Sequence, residues 1–184
     1  MAFVYLDSSV LVAIVLGDPR GARALAILGS RDSCTSALSP VECQAGLSFQ
    51  YAVAPGGLPA AEQALDAVLD HMLIIQVTSN VLIQARTLVR RHRSGIGLRT
   101  LDAIHVASCG EVRAQVGTAA IEYITADKRQ HVAFTSEGFS LVRKSSDQRS
   151  SPTPPWPSWT PGQSNRRKRC CMSLSNVQVD LRVG

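Results

Sequence analysis

Along the first 144 residues, apolar positions come in blocks that switch between strand-like runs and helix-like spacing. Ala2-Phe-Val-Tyr-Leu6 is a short apolar run suited to a buried parallel strand. Asp7-Ser8-Ser9 then supplies helix-capping residue types ahead of Val10–Leu16. After Gly17-Asp18, Pro19 opens a helix to about Leu28. Ser33–Ala37 predicts a second strand, and Ser39-Pro40 opens a helix through Glu42 to about Tyr51. Past the loop Ala54-Pro-Gly-Gly-Leu-Pro59, the positions Ala64, Leu65, Val68, Leu69 and Met72 recur at helical spacing, as a core or dimer face would. Leu73–Val77 reads as a third strand. A helix from Ser79 presents Val81, Leu82, Ala85, Leu88 and Val89 on one face and Arg86, Arg90 and Arg93 on the other, and Ser94-Gly-Ile-Gly97 ends it. Leu98–Val116 contains a further helix, and Ile121–Thr125 and Phe139–Val142 complete the strands. Short strands alternating with helices predict an α/β fold with a mostly parallel sheet of four or five strands covered on both faces.

The 184 residues suit one domain with an appendage, and 45% hydrophobic content against 18% charged permits a sizeable core. No run approaches the ~18 apolar residues of a membrane span, and the start lacks the basic leader of a signal peptide. Five cysteines without a repeating spacing argue against a disulfide framework and for a reducing, cytoplasmic setting. Cys34, Cys43 and Cys109 read as small core residues. The net charge of +5 is unevenly placed: residues 1–144 hold 13 Lys+Arg against 12 Asp+Glu, and residues 145–184 hold 6 against 2. That last stretch carries five of the nine prolines and both tryptophans. It reads as a basic Pro/Ser-rich disordered tail following a domain over residues 1–144. Basicity confined to such a tail gives little reason, by itself, to assign a nucleic-acid partner.

Candidate chemistry lies in four acids. Asp7 and Asp127 stand just past the ends of predicted strands, where an open parallel sheet binds its ligands. Glu42 and Asp102 sit in otherwise apolar helical surroundings, where a carboxylate is costly to bury unless paired. If the four converge, each pair of charges at ~4 Å costs about 4 kcal/mol at an effective dielectric near 20, which a proton or a cation relieves. Carboxylates with hydroxyl and water neighbours suit a hard ion such as Mg2+ or Mn2+. Each acid taken alone also has an ordinary role: Asp7 as an N-cap, Asp127 with Lys128 in a turn, Glu42 as a solvated first-turn acid, Asp102 as a partner of Arg99.

Tyr5-Leu-Asp-Ser-Ser-Val-Leu11, Ser36-Ala-Leu-Ser-Pro-Val-Glu42, Leu98-Arg-Thr-Leu-Asp-Ala-Ile-His-Val-Ala107 and Ile124-Thr-Ala-Asp-Lys-Arg129 together resemble the PIN domain. The likeness is to its VapC-type ribonuclease toxins and spans about residues 2–143. It implies a three-layer α/β/α endoribonuclease using one or two Mg2+ ions. Asp7, Asp102 and Asp127 would be metal ligands, with Glu42 a ligand through water or the group orienting the attacking water. Ser9 and Thr125 would orient the carboxylates. The likeness also implies a homodimer and a cognate antitoxin. The nearby cations Arg99, Lys128 and Arg129 are candidates for RNA phosphate contacts. The run Arg86, Arg90, Arg91 and Arg93 reads better as a solvated face. His105, one turn beyond Asp102, reads as a packed or hydrogen-bonded histidine rather than a general base. A housekeeping PIN nuclease and a non-catalytic RNA- or protein-binding scaffold are the competing readings.

Overall fold

A computed structural model of the chain describes residues 3–117 and 121–142. The tail read over residues 145–184 lies outside the described residues. Five strands form one fully parallel sheet in the order β3-β2-β1-β4-β5. They are β1 (Phe3–Leu6), β2 (Asp32–Ser36), β3 (Leu73–Ile75), β4 (Ile121–Ile124) and β5 (Ser140–Leu141). The helices are α1 (Ser8–Val15), α2 (Pro19–Leu28), α3 (Ser39–Gln50), α4 (Leu58–Leu69), α5 (Ser79–Arg91), α6 (Thr100–Val116) and α7 (Lys128–Ser136). A single 3-10 turn at Pro55–Gly57 leads into α4. Among the described residues no helix is long and apolar enough to cross a membrane.

Side-chain alternation along β1 divides the core. Val4 and Leu6 point to one face, where they pack with the buried positions of α1, α2, α3 and α4. Tyr5 points to the other, against α5, α6 and α7. On that face Phe134 is fully buried and stacks on Tyr123 with ring centroids 4.4 Å apart. The expected three layers are therefore present. Cys34, Cys43 and Cys109 are fully buried, and desolvation pushes the Cys34 and Cys43 thiols up to about 12. The stripe in α4 is core: Ala61, Ala64 and Leu65 are buried.

The chain first builds outward from β1 through β2 to β3, then returns to lay β4 and β5 on the opposite side of β1. This reversal opens a crevice at the carboxyl ends of β1 and β4, the usual ligand site of such sheets. Leu6 pairs with Ile124, so Asp7 and Thr125 emerge flush with each other. Helix α7 was not among the elements expected from the pattern. Its inward positions are Gln130, Ala133 and Phe134, so a polar residue interrupts the apolar signal of an already short helix.

Close approach of α2 to α1 depends on Gly21. A Cβ there would fall on the backbone of Ala13 and Ile14. At Gly46 in α3 a Cβ would meet only Val12 Cγ2, at 3.5 Å, an ordinary contact. Gly21→Ala is expected to cost ~2 kcal/mol or more in urea unfolding. Gly46→Ala should be neutral or gain up to ~1 kcal/mol from helix propensity. Equal effects at the two sites would contradict this packing of α1 and α2.

Candidate metal centre

Asp7 is the N-cap of α1 and is 2% exposed. The Ser9 hydroxyl donates to its Oδ1 at 2.6 Å and the Val10 N–H to the same oxygen at 3.1 Å. The Thr125 hydroxyl donates to Oδ2. Ser9 and Thr125 are themselves fixed from the β4 side. The Ala126 N–H donates to Ser9 Oγ at 3.2 Å, and the Asp127 N–H donates to Thr125 Oγ1 at 3.0 Å. Asp127 caps α7, accepting the Arg129 and Gln130 N–H groups on Oδ1 at 2.7 and 3.1 Å. Asp7, Ser9, Thr125 and Asp127 are thus stitched into one hydrogen-bonded unit across the ends of β1 and β4.

Asp102 lies in the first turn of α6, where its carboxylate reaches back to the Arg99 N–H at 3.4 Å. Burial raises its pKa, and the negative charge of Asp127 adds to the rise. The Arg99 N–H and the charges of Arg129 and Arg99 act the other way. The two acids are therefore electrostatic neighbours, with Arg99 and Arg129 beside them. Lys128 and Arg129 line an open cleft of about 620 Å³ together with Asp127, Ala126, Ile96 and Val132.

Glu42, in the first turn of α3, is held by a different set of hydrogen bonds. Its Oε2 lies 2.6 Å from Nε2 of the buried His105, whose Nδ1 lies 2.8 Å from the Tyr5 hydroxyl. Burial works to raise the Glu42 pKa, but hydrogen bonds from His105 and Ser8 hold it below the ordinary carboxylate range. His105 is hydrogen-bonded and 2% exposed, as the sequence suggested. Arg91 is held to Glu137 at 2.7 Å rather than standing free as part of an RNA track.

Sequence reasoning missed Gln130 and Tyr5. Gln130 is 3% exposed, and its side-chain amide lies 3.0 Å from the Thr125 hydroxyl. Its signal was the spacing from Asp127, which places it at the third position after a helix cap. Tyr5 read only as one residue of an apolar strand.

Whether these residues suit a divalent ion can be tested on their chemistry. All four acids supply hard oxygen donors. Asp7, Asp102 and Asp127 enter none of the ion pairs found among the described residues. Asp102 and Asp127 repel one another. No three acid, histidine or cysteine side chains among the described residues form a ready cage for one ion. Mg2+ does not require one, since it keeps several waters and binds through one or two carboxylates. The donor set fits a hydrated hard cation.

Residues 4–134 match the family model described as PIN domain, and the chain belongs to that family. No curated protein matches it significantly. Among solved structures, a toxin–antitoxin complex from Klebsiella pneumoniae aligns with TM-score 0.52 and 19% identity, covering 69% of this chain and 88% of that one. VapC20 of Mycobacterium tuberculosis, described as a sarcin–ricin-loop-cleaving toxin, aligns with TM-score 0.53 and 21% identity over 76% and 98% of the two chains. PAE2754 from Pyrobaculum aerophilum gives TM-score 0.53 and 17% identity, with 77% and 84% covered. At these identities the likeness is one of fold.

The raised Asp102 pKa has a stability consequence in EDTA. A carboxyl whose folded pKa exceeds its unfolded value favours folding below about pH 4 and loses that contribution as pH rises through the folded pKa. Asp102→Asn keeps an acceptor for the Arg99 N–H and removes the charge. It should be at least as stable as wild type at pH 7, its advantage growing from pH 4 upward in urea midpoints. A wild type that gains on the variant over that window would contradict the stated direction.

Proposed function

We propose that this chain is an Mg2+-dependent endoribonuclease, with Mn2+ able to substitute, acting as the toxin of a toxin–antitoxin pair. The observation that carries the nuclease reading is the hydrogen-bonded unit joining Asp7 and Asp127 across the ends of β1 and β4, with Asp102 near enough to Asp127 to feel its charge and none of the three in an ion pair found among the described residues. Asp7, Asp102 and Asp127 would hold the ion directly or through water, with Glu42 as an outer carboxylate. A bound divalent ion supplies charge neutralisation at the scissile phosphate and eases the deprotonation of water.

This chain's own groups do the rest. Ser9 and Thr125 fix both oxygens of Asp7, so its orientation is set before substrate arrives. Lys128 and Arg129, on the wall of the open cleft, and Arg99 beside Asp102 contact RNA phosphates. Water remains available, because Asp127 is exposed and Asp102 is half-buried. The toxin reading draws on the fold shared with the Klebsiella toxin–antitoxin complex and the Mycobacterium toxin. By the same reading the chain is cytoplasmic, forms a homodimer and is inhibited by a cognate antitoxin.

Purified protein incubated with total RNA should cut it in Mg2+ and not in EDTA. Asp7→Asn and Asp102→Asn should each lower the rate ~100-fold or more while leaving circular dichroism unchanged. Asn at position 7 remains a good cap for α1, so loss of activity there reports on the charge. Wild-type rates in both variants, or cleavage indifferent to Mg2+, would overturn the proposal.

A further inference from the structure

The chain Tyr5–His105–Glu42 is a run of hydrogen bonds between the sheet and the site that the three acids around Asp7 do not use. Tyr5 is fully buried in β1, two residues before Asp7. Its ring packs on Phe134 at 5.8 Å between centroids and meets the His105 ring edge-on at 6.1 Å. The Tyr5 hydroxyl oxygen lies 2.8 Å from His105 Nδ1. An ionised carboxylate can only accept, so the ring nitrogen Nε2 carries a proton and donates to Glu42 Oε2 at 2.6 Å.

A histidine wanted only for volume would be a poor choice here. A buried imidazole must satisfy both nitrogens, whereas leucine or phenylalanine would fill the same space with no such demand. His105 also sits one turn after Asp102 on α6, so the same helix face presents an acid to the cluster and the group that ties Glu42 in place.

We infer that His105 is a positioning residue: with its ring fixed by Tyr5, it holds the Glu42 carboxylate in one orientation at the edge of the acid cluster. This rests on the proposed nuclease reading, in which Glu42 acts from outside the directly bound set. Removing the His105 donor frees the Glu42 side chain to rotate, and an outer group that is no longer oriented loses effect without disturbing RNA binding.

The test uses the full chain and Mn2+ as the metal probe. His105→Leu removes both hydrogen bonds and should lower kcat for RNA cleavage ~10–100-fold with KM little changed, and weaken Mn2+ binding by calorimetry within a similar range. His105→Gln can place an N–H near the position of Nε2 and should recover most of both. Tyr5→Phe should show a smaller loss of the same kind. The double variant Glu42→Gln/His105→Leu should be no slower than Glu42→Gln alone, because His105 acts through Glu42. Independently of activity, long-range proton–nitrogen NMR should show the His105 proton on Nε2, with that signal displaced in Glu42→Ala. If His105→Leu does not fold, Tyr5→Phe, His105→Gln and the NMR measurement still decide the matter.

A folded His105→Leu with wild-type kcat and Mn2+ affinity would overturn the inference, as would multiplicative losses in the double variant or an Nε2 found without a proton. A wild-type chain that cuts no RNA in Mg2+ would instead overturn the nuclease reading. The NMR result would then still report whether His105 holds Glu42.

Discussion

Negative charge gathered at the carboxyl ends of β1 and β4 is the constraint on which the rest of this structure turns. Two carboxylates ~4 Å apart at an effective dielectric near 20 repel by about 4 kcal/mol, a large fraction of a domain's whole stability. Each of the four acids meets this with the start of a helix. Asp7 and Asp127 cap α1 and α7, and Glu42 and Asp102 lie in the first turns of α3 and α6. A helix N-terminus favours an acid by only ~0.3–1 kcal/mol at exposed positions. The starts of α6 and α7 soften the repulsion between Asp102 and Asp127 without cancelling it, and the remainder is the physical reason to propose a divalent cation.

The acids are not equivalent in how they are held. Asp7 is enclosed by donors from two strand ends, Glu42 is tied to His105, and Asp102 feels the charge of Asp127. The sharing follows from topology. The strand order reverses at β1, so the residues after β1 and β4 lie side by side, and the first turn of α6 brings Asp102 within electrostatic reach of Asp127. Hydroxyl-bearing Ser9 and Thr125 then bridge the gap with backbone amides at their backs. The unit is hydrogen-bonded where it is buried and open toward the cleft beside Lys128 and Arg129.

Much of this could be read from the chain because its signals were local. Apolar runs ending in Asp7 and Asp127 marked β1 and β4, and Pro19 and Pro40 marked helix starts. Glu42 and Asp102 stood out as acids among apolar neighbours. Helix α7 escaped because Gln130 occupies its inward face, and a glutamine turned inward toward a threonine hydroxyl carries no hydrophobic period. The division of the acids into an Asp7 unit and a separate Glu42–His105 pair was also hidden. It depends on Tyr5 meeting His105 a hundred residues further along, a contact that no spacing announces.

The most direct measurement is anomalous diffraction from crystals soaked in Mn2+. The expected result is a single region of anomalous density at the crevice, bounded by Asp7, Asp102 and Asp127, with Glu42 still on His105. Ordered acids with no density there, or density confined to other parts of the surface, would contradict a cation-dependent site.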